Sequence, residues 1–179
     1  MNELMYELKI DRDTSRMYYE KVRLKINQNN CYKNTFYAVS KNKEIQDNYK
    51  VAYGFVVLRV GESDLFFRHS FLIRNTDNAV LDTTSCLWND EEVKSASYYV
   101  FKKFETVDEY LGLLLANEGK VKLKRLAIKE EVALFNELIK QGYECNPVDF
   151  STLLNVVTGG DFSKVDDVFD EKTGCIILD

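Results

Sequence analysis

Three runs rich in Val, Phe, Tyr and Ile follow one another in the middle of the chain: YKVAYGFVVLRV, DLFFRHSFLI and NAVLDT. Only short turns separate them, and β-branched and aromatic residues at this density favour pleated, half-buried strands. SASYYVFKKF reads as a fourth strand. On either side the period changes to that of helices. TSRMYYEKVRLKINQ sets Tyr18, Val22 and Ile26 four residues apart behind cap-forming residues, and NNCYKNTFYAVSKN places Asn30 at a cap position and Cys31 at the start of a helix whose Tyr32, Phe36 and Val39 share one face. TVDEYLGLLLANEG has capping-box spacing from Thr106 to Glu109 and ends at Gly119. IKEEVALFNELIKQG predicts a helix ending near Gly142, and PVDFSTLLNVVTGG one starting near Pro147. Helices, then a sheet, then helices imply an α+β fold, since an alternating parallel sheet would interleave them. With no repeat, no low-complexity tract and one proline, the chain reads as a single domain over 1–179, with a core from about 15 to 105 and a helical part from about 106 to 179.

Charge narrows the function. Acidic and basic residues are interspersed and sum to a net charge of −5, so there is no basic footprint for nucleic acid or anionic lipid. No stretch approaches the roughly 18 to 20 apolar residues of a membrane span, and MNELMYELKIDRD lacks the basic and apolar segments of a secretory signal. The expectation is a cytoplasmic protein with no nucleic-acid or membrane partner. Cys31, Cys86, Cys145 and Cys175 form no C-x-x-C pair, and with one histidine in the chain neither a metal site nor a disulfide framework is expected. No cofactor is implied.

That one histidine carries the functional argument. His69 lies in the strand run FRHSFLI, and Asp82 follows in the next strand beyond RNTD, a set of turn residues. A turn centred between Asn75 and Thr76 sets His69 directly opposite Asp82, Phe71 opposite Val80 and Ile73 opposite Asn78. Facing Cβ atoms in an antiparallel pair are about 4.5 to 5.5 Å apart, close enough for a carboxylate to hold an imidazole. Such a pair fixes the imidazole tautomer and stabilises the imidazolium formed when a nucleophile gives up its proton. Cys31 is the matching nucleophile, because a helix N-terminus and a nearby imidazolium both favour thiolate. Its backbone N–H, with Gln28, Asn29 or Asn30 as a side-chain donor and Gln28 the preferred one, is the oxyanion-hole candidate.

The order and spacing of these residues resemble the papain-like, transglutaminase-like superfamily of cysteine hydrolases and acyltransferases, of the small phage or bacterial type. NNCYKNTFYAV looks like its nucleophile helix, YKVAYGFVV like the glycine-containing strand before the histidine, and RHSFLIRNTDNAVLDTT like the His strand, turn and Asp strand. The match covers about residues 28 to 84. Where members commonly have Trp after the Cys, this chain has Tyr32, and HSF and DTT stand where Ala-Trp and Pro-Thr often follow the His and the Asp. The resemblance implies a nucleophile helix packed on an antiparallel sheet. It also implies a thiol protease, deamidase or transglutaminase-like activity on a protein or peptide amide, with Cys31, His69 and Asp82 as the triad. The alternative from another class is a non-enzymatic protein-binding module, or a phage-encoded inhibitor that keeps the scaffold and binds a host protein.

Other features read as structural. Cys86, Cys145 and Cys175 fit small buried hydrophobes. The aromatic pairs at 66–67 and 98–101 fit sheet core, because no basic stripe accompanies them. TGGDFSKVDD lacks the ligand pattern of a calcium loop and the frame of a phosphate loop, and VKLKR reads as a solvated face.

Overall fold

The computed structural model describes residues 6–121 and 128–178, so VKLKR lies beyond Val121 outside the described residues. The molecule is α+β, built on an antiparallel sheet. Helix α1 (Arg12–Val22) is capped by Asp11, whose carboxylate accepts from the Thr14 N–H at 3.0 Å, one turn earlier than TSRM suggests. A 3-10 turn, Arg23–Lys25, then loosens the chain before α2 (Cys31–Ser40). A short α3 (Lys43–Asn48), capped by Asn42, leads into the sheet.

The central hairpin is β1 (Tyr49–Val60) and β2 (Ser63–Arg74), paired along their whole length with Gly54 opposite His69. Strand β3 (Val80–Leu81) flanks β2, and β4 (Ser97–Lys103) flanks β1. Between them lie a 3-10 turn, Thr84–Leu87, and α4 (Asp90–Ser95), which Asn89 and Glu92 start with a reciprocal capping box. Gly54 sits at a bulge in the β1–β4 pairing, where a Cβ would fall 1.8 Å from the Tyr99 carbonyl oxygen. Only glycine allows the two backbones that close.

The C-terminal part adds α5 (Val107–Ala116), α6 (Ile128–Lys140), β5 (Glu144–Cys145) and α7 (Pro147–Val157). Then come α8 (Val165–Val168) and a small hairpin of β6 (Phe169–Asp170) and β7 (Cys175–Ile176). Two features here are absent from the sequence reading: β5 pairs parallel to β2 at Leu65 and Phe66, and the closing hairpin forms its own sheet.

Both faces of the main sheet are covered. Tyr53, Phe55 and Phe66 are almost wholly buried on one face, in edge-to-face contact with Tyr32 of α2, Phe104, and Phe135 of α6. Burying side chains of this size contributes roughly 1.5 to 3 kcal/mol each, which makes this face the main core. The other face is smaller, a cluster of Leu8, Ala52, Val56, Phe71, Val80 and Tyr98 with Trp88 packed against it. Among the described residues no helix is long and apolar enough to cross a membrane.

Candidate active site

Strand β2 has β5 beside it at residues 65–66 and β3 beside it at 72–73. Between those pairings its edge is taken up by groups from helices. The Thr35 hydroxyl of α2 donates to the Ser70 carbonyl at 2.9 Å, and Asp149 of α7 accepts from the Arg68 N–H at 3.0 Å. Through this gap the N-terminus of α2 reaches His69.

Buried Asn34 sets the height of that helix. Its amide donates to the Asn27 carbonyl at 2.9 Å and to the Thr84 hydroxyl at 3.0 Å, while its oxygen accepts from the Asn27 N–H at 3.1 Å. One side chain thus ties the loop before Cys31 to the turn after Asp82. The sequence reading missed it, because an Asn in a helix signals nothing unless its partners are known. Asn30 occupies the cap position but makes no capping bond; its amide donates to the Gln28 carbonyl. The first N–H groups of α2 therefore have no side-chain acceptor at the cap.

His69 Nε2 lies 2.8 Å from Asp82 Oδ2, with both side chains buried. The contact expected from the sequence forms, but the register differs. Leu72 pairs with Leu81 and Ile73 with Val80, which moves the turn centre one residue on, between Thr76 and Asp77. The loop closes through Arg74 and Ala79, with Asn78 at φ 60°. Asp82 follows directly after the ladder ends at Leu81, so it approaches His69 diagonally and not as a directly opposed partner. A shift of the pairing sum by two keeps every side chain on its own face, whereas a shift by one would have sent Asp82 to the opposite side.

Asp82 is held from all sides. Its Oδ1 accepts from the Thr84 N–H at 2.8 Å, its backbone N–H donates to the Ser15 hydroxyl at 3.0 Å, and its carbonyl accepts from the Ser85 hydroxyl at 2.6 Å. One carboxylate oxygen caps the turn while the other holds the imidazole. Around His69 stand Phe67, Phe71, Trp88 and Tyr98, with the Trp88 ring centre 5.4 Å away. A hydrogen bond in such an apolar box is electrostatically stronger than one in water.

Burial by itself would strip the proton from His69. The Asp82 charge, the Cys31 sulfur and the hydrogen bonds to both outweigh that and push its pKa up to about 10. Because Asp82 takes Nε2, Nδ1 is the nitrogen left for the thiol. Cys31 is half-buried at the first position of α2. It opens on a cleft of about 610 Å³ that is also lined by Gln28, His69, Trp88 and Asp149. Gln28 is exposed at the rim.

Trp88, Asn146 and Asp149 on the cleft come from the part whose role the sequence left open. Arg68 points away from His69 into the main core, where its Nε lies 2.9 Å from Glu131 Oε1 on α6 and a terminal nitrogen donates to Oε2 at 3.1 Å. Its guanidinium also faces the rings of Tyr32 and Phe101. Burial, only partly offset by Arg68, pushes Glu131 up to about 7. Asn146 and Asp149, at the start of α7, also line the cleft. Cys86 and Cys145, by contrast, have thiols that burial raises to about 11 and about 12, which suits inert, protonated residues.

The chain matches no family model, no curated protein and no solved structure.

Proposed function

We propose that the protein is a cysteine-dependent amide hydrolase or acyltransferase, with a papain-like, transglutaminase-like arrangement of the nucleophile helix on the sheet. The observation that carries this is that Cys31 and His69 line one cleft, with the imidazole hydrogen-bonded to Asp82 on its buried side. With its proton already on His69 Nδ1, Cys31 Sγ attacks the carbonyl carbon of a bound amide. The oxyanion that develops is met by the uncapped N–H groups at the start of α2, with Gln28 at the rim as a further donor. Collapse of the tetrahedral species breaks the C–N bond, and His69 returns the proton to the departing amine. The resulting thioester passes to water, giving a peptidase or deamidase, or to an amine, giving a cross-link. Asp82 holds the imidazole through both half-reactions and supports its positive charge.

The test is labelling with a peptide library bearing a vinyl sulfone, mapped by mass spectrometry, followed by assays on the peptides it selects. We expect an adduct at Cys31 that is lost in His69→Ala, and amide cleavage or transfer that is lost in Cys31→Ala. Activity that survives Cys31→Ala would overturn the mechanism.

A further inference from the structure

Asp82 Oδ2 has two partners. Besides His69 Nε2 at 2.8 Å it accepts from the Tyr98 hydroxyl at 2.9 Å. Tyr98 lies on β4, two strands away from His69 in the sheet, and is fully buried. Its ring is edge-on to Phe71 at 4.9 Å, its N–H donates to the Leu8 carbonyl, and its own carbonyl accepts from the Leu8 N–H. The phenol is therefore anchored through its ring and its backbone. Burial and the neighbouring Asp82 charge raise its pKa well above the ordinary tyrosine value, so the O–H stays protonated and can only donate to the carboxylate.

A buried carboxylate is tolerated when donors satisfy its oxygens. With Thr84 on Oδ1, the phenol and the imidazole divide what remains. Taking Cys31, His69 and Asp82 as the reacting set proposed above, we propose that Tyr98 is a positioning residue: its hydroxyl shares Asp82 Oδ2 with His69, fixes the carboxylate rotamer, and limits how much negative charge the imidazole feels. His69 gives a proton to the leaving amine and takes one back from the attacking water or amine at every turnover, so the strength of the His–Asp bond sets how readily it both gives and accepts. A carboxylate given wholly to His69 would hold the imidazolium too firmly to protonate the leaving amine. The other titratable groups beside this network are the Cys31 thiol, which lines the cleft with His69, and the Cys86 thiol, which feels the Asp82 charge.

The experiment follows the ring nitrogens of His69 by NMR from pH 5 to 11. As the chain has one histidine, the signals need no assignment. In Tyr98→Phe the ring and its contacts persist while Oδ2 loses one donor, so the midpoint should move up by about half a unit or more. The pH profile of Cys31 alkylation should move with it. Should Tyr98→Phe fail to fold, a fluorinated tyrosine placed at position 98 keeps the size and strengthens the donor; the midpoint should then move down. A midpoint and alkylation profile unchanged by either replacement, or moved in the opposite sense, would overturn the role given to Tyr98. An imidazole that responds as expected in a protein without amidase activity would instead count against the proposed function and leave the positioning role standing.

Discussion

Adjacent residues of β2 end in two buried charge pairs of different character. Arg68 turns into the main core and meets Glu131, 63 residues away on α6; His69 turns to the other face and meets Asp82, 13 residues away across a hairpin. The first pair is sealed between a helix and the sheet, with aromatic rings against the guanidinium. The second lies at the gap in the β2 edge where α2 enters, and it has a thiol at its open end. Strand alternation alone separates them, since successive side chains on a strand point to opposite faces. One pair joins α6 to the sheet, and the other adjoins the cleft, where the proposed mechanism has it move a proton.

The comparison breaks most sharply at Glu131. Glu131→Ala leaves the guanidinium buried without that carboxylate and should lower stability by about 3 to 5 kcal/mol, read as a lower urea midpoint, while the fraction that remains folded keeps its Cys31 labelling rate. His69→Ala should do the reverse, costing less stability but slowing Cys31 labelling. Equal effects of the two changes on both readouts would erase the distinction.

A somewhat smaller loss is expected at Gly54, the neighbour of His69 on β1. Gly54→Ala drives a Cβ against the Tyr99 carbonyl and must open the β1–β4 pairing, at a cost of about 3 kcal/mol. As β4 also holds Tyr98, labelling of Cys31 should weaken along with the melting temperature. Unchanged melting would mean that the two strands yield without penalty.

The mildest test is pH. Both shifted groups bind a proton more tightly in the folded chain than in the unfolded one, so each loses stability as pH rises. For Glu131 the loss spans its ordinary value of 4.5 up to about 7; for His69 it runs from 6.5 to about 10. Melting temperatures measured from pH 5 to 10 should therefore fall in two limbs. Glu131→Gln should flatten the lower limb and His69→Asn the upper one. An upper limb that persists in His69→Asn would detach it from the His–Asp pair.

Much of this architecture is legible before folding. The strands, the helix beginning at Cys31 and the helices ending near Gly119 and Gly142 follow from periodicity, caps and turn residues, because those signals act over a few residues. The short helices α3 and α4 carry local caps of their own at Asn42 and Asn89, but six residues are too few to show a period. The His–Asp contact is legible for a related reason: a hairpin ties strand partners to chain separation, and parity protects the face even when the register moves.

What the chain by itself determined is thus the local order of elements and the residue types that come near each other through one turn. Tertiary structure alone decided the rest. Nothing in KEEVALF marks Glu131 as buried beneath a strand arginine, nothing in SASYYVF marks Tyr98 as the second donor to Asp82, and nothing in ECNPVDF brings Asn146 and Asp149 to the cleft. Each of those contacts spans at least two elements distant in sequence. Their formation depends on how the layers settle against one another, where burial of many side chains together, rather than the preference of any one, selects the partners.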